Sequence, residues 1–125
     1  MRVKKGMIYI FTGEGKGKTS AALGIAMRAV CNNMKVGWVS WYKGKDWDIS
    51  EKTLPSRMIP KGGLEMYFMG KGFYKLPTDK ETPQIHQQAA EAGLVQAEKL
   101  IKKVDVLVMD EAIKAIADGL ILEKE

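Results

Sequence analysis

A single cysteine, Cys31, in 125 residues excludes an internal disulfide framework. With no second thiol or adjacent base, it is read as a small buried hydrophobe, not a nucleophile. The N-terminus lacks the charged, apolar and small-residue order of a secretory leader, so a reducing, cytoplasmic setting is expected. Long apolar runs are missing too: Met7 to Phe11 and Val104 to Met109 fall far short of the roughly 20 residues that cross a bilayer. The only histidine, His86, near the start of a polar helix and without partner ligands nearby, is read as a surface residue. No basic stripe interleaved with stacking aromatics accompanies the formal net charge of +5, so nucleic-acid binding is not expected. Repeats and internal linkers are also lacking. One domain over 1–125 is expected, and 46% hydrophobic residues suffice for a core.

What is present is an alternation of strand and helix signals. Met7-Ile8-Tyr9-Ile10-Phe11 is an unbroken apolar run rich in β-formers, the pattern of a strand covered on both faces. Ser20 to Val30 is apolar nearly all round, as expected of a helix packed on a sheet. Val36 to Trp41, Leu64 to Met69 and Val104 to Met109 are further strand candidates, four in all with the first run. Thr82 followed by Pro83 predicts an N-cap and first helical position, with helical spacing continuing to about Lys103. Ala112 to Leu122 is a last amphipathic stretch, and Gly44 to Gly63 a long connection with one short helix. The alternation predicts an α/β fold of three layers, P-loop NTPase-like (RecA-like), with a mainly parallel sheet shortened at its C-terminal side.

Gly13-Glu14-Gly15-Lys16-Gly17-Lys18-Thr19 lies between the first strand and first helix, the context that makes a phosphate-binding loop credible. Glycines there let backbone N–H groups converge on phosphate oxygens in conformations a Cβ would obstruct. Lys18 is placed to reach the terminal phosphates, Lys16 adds a second cation, and the Thr19 hydroxyl can ligate Mg²⁺. The residue five before Gly17 is Thr12 where the usual spacing has glycine, so the turn is one residue short. Val106 to Met109 leads into Asp110 and Glu111, the form of a Walker B segment whose carboxylates hold Mg²⁺ or polarise a nucleophile.

These residues resemble the P-loop-type ATP:corrinoid adenosyltransferases. The resemblance rests on Thr12 to Ser20, the continuation Ala21 to Val30, Lys43-Gly44, Met69-Gly70-Lys71-Gly72-Phe73 and Val108-Met109-Asp110-Glu111. It implies attack of cob(I)alamin cobalt on C5′ of ATP with expulsion of triphosphate, the nucleotide held in reversed polarity relative to ordinary P-loop proteins. ATP then sits on Gly13 to Ser20, with Arg28 able to approach ribose or phosphate. Mg²⁺ sits on Thr19, Asp110 and Glu111. Lys18 and Glu111 serve catalysis together with Phe73, which matches an aromatic that the family packs beneath the corrin; Tyr74 and Trp47 add surrounding surface. Lys75 stands where the family carries a tryptophan, Cys31 and Asn33 where it carries glycines, and Ile113 and Lys114 where it carries Asn or Thr and then Tyr. Asn33 tolerates the left-handed backbone such a turn needs.

The family's two further strands and C-terminal segment are not matched, so the chain is expected to be a fragment or a short version. Expected partners are ATP, a corrinoid, a reductase supplying Co(I) and a second copy in a homodimer, with neither nucleic acid nor membrane. Two other functions compete: an NTPase or kinase acting on the γ-phosphate, and an inactive nucleotide- or corrinoid-binding module.

Overall fold

The structure, a computed structural model, describes residues 6–13, 15–44, 49–58, 62–72, 74–77 and 79–122. Helix α1 (Lys18–Cys31) leads to strand β1 (Val36–Ser40), a 3₁₀ turn (Ser50–Thr53) and the short α2 (Leu54–Arg57). Strand β2 (Leu64–Phe68), helix α3 (Pro83–Ile101), strand β3 (Val106–Asp110) and helix α4 (Ala112–Ala117) follow. The sheet is parallel throughout, in the order β2-β1-β3. This is a three-layer α/β arrangement of the shortened P-loop kind.

Central β1 is buried along its whole length, and its alternating side chains feed two cores. Val36 and Trp38 pack with Ala22, Ala26, Ala29 and Val30 of α1. Val39 and then Trp41 pack with Ala90, Ala97 and Leu100 of α3. Small residues on both helices let them approach the sheet closely. The Trp38 indole donates to Ser40 Oγ at 2.8 Å and that of Trp41 to the Ala90 carbonyl at 3.0 Å, so neither ring buries an unmet N–H. Helix α3 starts as its sequence predicts: Thr82 is extended, its hydroxyl accepts from the Ile85 N–H at 3.3 Å, and Pro83 occupies the first turn.

Three expectations need correction. Met7 to Phe11 forms no strand; Ile8 is 90% exposed and the other four side chains are exposed with it. The run's composition suits a strand, but a strand exists only with a ladder partner, and no described residue pairs with it. The observed sheet thus has three strands among the described residues. Helix α1 accordingly buries one face only, leaving Ile25 and Met27 exposed. Cys31, at the last turn of α1, is exposed. His86 is buried, 3% exposed, on the inner face of α3.

Leu100 is fully buried and covers Gly37 of β1, whereas the next residue, Ile101, is exposed. Leu100→Ala should lower unfolding free energy by about 2–5 kcal/mol, and Ile101→Ala by less than about 0.5 kcal/mol. Denaturant midpoints of the two variants check the contrast.

Candidate functional site

Registered strands bring their carboxyl ends together: Ser40 pairs with Phe68 on one side and with Asp110 on the other. In open α/β sheets this edge is where ligands bind. The head of α1 arrives at the same edge. Gly13, Gly15 and Gly17 have φ of 132°, 92° and 118°, a backbone that side chains rarely adopt, so the turn needs glycine at these positions. Gly17 caps α1 without a side-chain bond, and no acidic residue lies in its first turn. Within α1 itself, neither a capping side chain nor a first-turn carboxylate therefore occupies the first-turn amides. The Lys18 ammonium folds back into the turn, donating to the carbonyls of Gly13 at 2.8 Å and Gly15 at 2.9 Å. Lys16 and Ser20 are exposed beside it.

Thr19 makes the decisive contact: its hydroxyl donates to Asp110 Oδ1 at 3.1 Å, joining residues 91 positions apart. Asp110 is almost fully buried, and its other oxygen, Oδ2, accepts from the Lys43 ammonium at 2.9 Å and from Ser40 Oγ at 3.5 Å. Lys43 also donates to Glu51 Oε2 at 2.9 Å. Burial opposes the Lys43 ammonium, but bonds to Asp110 and Glu51 outweigh it and raise the pKa above the ordinary lysine value.

Of the carboxylate pair, Asp110 is the one that meets Thr19. Glu111 caps α4 from a left-handed conformation, φ 66°. Among the described residues no three acidic, histidine or cysteine side chains cluster as a metal cage. A hydroxyl and one carboxylate side by side, both hard oxygen donors, nevertheless fit Mg²⁺, which keeps several waters and draws its remaining ligands from a substrate's phosphates.

Other predicted residues lie elsewhere. Arg28 is exposed in the last turn of α1, about 15 Å from Lys18 at roughly 1.5 Å per residue, so the structure does not bring it to the turn. Tyr74 packs edge-on against His86 with ring centroids 5.2 Å apart. Glu14, Trp47 and Phe73 lie outside the described residues. Sequence reasoning missed Lys43 and Glu51 as site residues, although Lys43-Gly44 carried part of the resemblance. It also missed Asp79, whose Oδ1 meets His86 Nε2 at 2.8 Å and whose Oδ2 accepts from the Lys75 N–H at 3.0 Å. That carboxylate ties the loop after β2 to α3.

The chain leaves β1 through Tyr42, whose own φ is 68° and whose phenol donates to Asp118 Oδ2 at 2.5 Å. Burial and the Asp118 bond raise the Tyr42 pKa beyond the range in which tyrosine ordinarily titrates. Burial works against the Asp118 carboxylate in turn, but Tyr42 and Lys114 outweigh it and hold its pKa below the usual value.

The comparisons with known proteins point one way. The profile of the family described as "ATP:corrinoid adenosyltransferase BtuR/CobO/CobP" matches residues 4–125. The corrinoid adenosyltransferase of Escherichia coli (strain K12) is 34% identical over 124 residues, 97% of this chain and 59% of that protein. The corrinoid adenosyltransferase CobA of Salmonella typhimurium is 43% identical over 70 residues, 56% of this chain and 33% of that protein. The Pseudomonas aeruginosa corrinoid adenosyltransferase is 33% identical over 120 residues, 94% of this chain and 56% of that protein. The chain thus spans about 59% of the length of the Escherichia coli relative it matches. No helix among the described residues is long and apolar enough to cross a membrane.

Two substitutions test this local architecture. A Cβ on Gly70 would lie 2.0 Å from the Tyr42 carbonyl carbon. Gly70→Ala should therefore destabilise the fold by about 3 kcal/mol or more, read from its denaturant midpoint. Because the Asp118 pKa is depressed in the folded state, its contribution is present above the unfolded value, about 3.9, and disappears as pH falls through the lower folded value. Asp118→Asn should flatten the acid limb of stability against pH below about pH 4, measured by thermal unfolding.

Proposed function

This chain belongs to the ATP:corrinoid adenosyltransferase family, and we propose that it binds the triphosphate of ATP at residues 13–19 and serves transfer of the 5′-deoxyadenosyl group to corrinoid cobalt. The observation that carries the reading is the Thr19–Asp110 contact at 3.1 Å, beside a turn already curled around the Lys18 ammonium. In such a transfer the electron pair of Co(I) forms the Co–C5′ bond while the C5′–O5′ bond breaks, and that bond's electrons leave with triphosphate.

A triphosphate leaves readily only when its charge is matched. Turn amides, Lys16 and Lys18 supply fixed positive charge where negative charge accumulates. Thr19 and Asp110, with Glu111 as a further oxygen donor, would hold Mg²⁺, which adds divalent charge against the leaving group. The protein's remaining task is alignment, because cobalt and C5′ must meet in line. Phe73, Tyr74 and Trp47 are the residues proposed to surround the corrin; among them Tyr74 packs edge-on against His86. The reading carries with it a reductase delivering Co(I), pairing of two copies and a reducing cytoplasmic setting.

Anaerobic mixing with ATP, Mg²⁺ and chemically reduced cobalamin should convert the Co(I) spectrum to that of light-sensitive adenosylcobalamin, with triphosphate as the inorganic product. Orthophosphate in its place would select an NTPase, and tight ATP binding without Co–C bond formation would select an inactive binding module. Lys18→Ala should weaken ATP binding at least about tenfold, the loss of one charge-assisted contact; unchanged calorimetric affinity would refute phosphate binding at this turn.

A further inference from the structure

Strand β1 does not simply run out at its carboxyl end. The Lys43 N–H donates to the Trp41 carbonyl at 2.8 Å, closing a three-residue γ-turn with Tyr42 at its centre and φ of 68°. With positive φ this is the rarer and more strained of the two γ-turn kinds, and such strain persists only where surrounding structure enforces it. Here the enforcement is visible. The Gly72 N–H donates to the Tyr42 carbonyl at 2.7 Å, the Gly70 N–H to the Lys43 carbonyl at 3.0 Å, and the Tyr42 phenol to Asp118.

What the turn delivers is Lys43. Its ammonium lies 2.9 Å from both Asp110 Oδ2 and Glu51 Oε2, with side-chain exposures of 14%, 7% and 10% for Lys43, Asp110 and Glu51. Asp110 therefore receives Thr19 on one oxygen and a protein cation on the other. A buried carboxylate requires a counter-charge, and two cations crowded on one carboxylate repel each other. Glu51 gives Lys43 a second carboxylate to keep if Asp110 turns to another cation.

We propose that Lys43 is a positioning residue that stands in for the divalent cation on Asp110 before nucleotide arrives, and that Glu51 receives it when Asp110 engages the metal. The proposal rests on the reading of Thr19 and Asp110 as magnesium ligands. It makes the segment carrying Glu51, the 3₁₀ turn Ser50–Thr53, respond to occupancy of the phosphate site through one ion pair.

The measured quantity is the factor by which Mg²⁺ tightens ATP binding to the full chain, from calorimetric affinities with saturating Mg²⁺ and with EDTA. Lys43→Met removes the competing cation and should raise that factor at least about fivefold, a typical coupling between sites. Glu51→Gln leaves Lys43 with Asp110 alone and should lower it by a similar amount. Lys43→Arg, which keeps the charge, should return it toward the wild-type value. Arg57→Met removes a charge from the adjoining helix α2, where the guanidinium donates to Thr53 Oγ1 of that turn, and should leave the factor unchanged.

Shifts of Lys43→Met and Glu51→Gln in the same direction, or no shift in either, would overturn the proposal while magnesium dependence itself stands. A shift for Arg57→Met equal to that for Lys43→Met would reduce the effect to bulk charge and overturn it too. Should Lys43→Met fail to fold, Glu51→Gln decides: a lowered factor supports the exchange, and an unchanged or raised one refutes it. Wild-type ATP binding indifferent to Mg²⁺ would remove the metal reading, and the proposal with it.

Discussion

One buried negative charge, the carboxylate of Asp110, is the constraint on which the site depends. It sits at the last register position of β3, opposite Ser40 at the end of β1, where the sheet offers it no solvent. Desolvating a carboxylate is tolerable only if every oxygen finds a donor and a cation stands close. Three separate parts of the chain answer that demand: Thr19 from the head of α1, Ser40 from the end of β1, and Lys43 from the turn beyond it. Removing one partner of such a pair strands the other charge and costs on the order of 3–5 kcal/mol. The contacts that hold the strand ends together are thus the same ones that set the Thr19 hydroxyl beside a carboxylate oxygen of Asp110.

The glycine-rich turn at the head of α1 is tied down in the same way. Lys18 is held by carbonyls of its own turn, and Thr19 by Asp110. Under the proposed function, a polyphosphate would therefore meet donor groups already gathered at the turn, at little cost in reorganisation. Such a polyphosphate would exchange two neutral carbonyl acceptors on Lys18 for charged oxygens, a stronger partnership.

Local chemistry was legible in the sequence, and pairing was not. The glycine-rich turn, the extents of α1 and α3, the Thr82 cap and three of the four expected strands follow from composition, spacing and capping residues alone. The Asp110-Glu111 pair was equally plain, but which carboxylate meets Thr19 depends on where β3 stops: Asp110 is its last residue, and Glu111 turns left-handed into α4. Met7 to Phe11 shows the opposite failure, since strand-forming composition cannot supply a partner. His86 looked peripheral because its partner Asp79 belongs to the loop before its own helix, and only the fold turns that loop inward. Lys43 was visible as a family match yet carried no role until the turn at Tyr42 brought it 67 positions along the chain to Asp110.

The two least legible features lie on either side of that contact. Asn33 has φ of 61°, and an asparagine after a helix announces a left-handed turn. Nothing announces one at Tyr42 or Glu111, with φ of 68° and 66°, because side chains of that size usually avoid the region. Both stand just beyond the aligned ends of adjacent strands, where the chain must leave the sheet. An extended residue at Tyr42 would carry Lys43 outward along the strand direction, whereas the left-handed one folds it back across the strand end toward Asp110. An extended residue at Glu111 would prolong β3 past its partner, whereas the left-handed one starts α4 at once and closes Ala112 and Ala115 over the core. Strain at the two positions is therefore what converts a plain parallel sheet edge into a charged, buried constellation, and packing by Gly70, Gly72 and Asp118 is what sustains it at Tyr42.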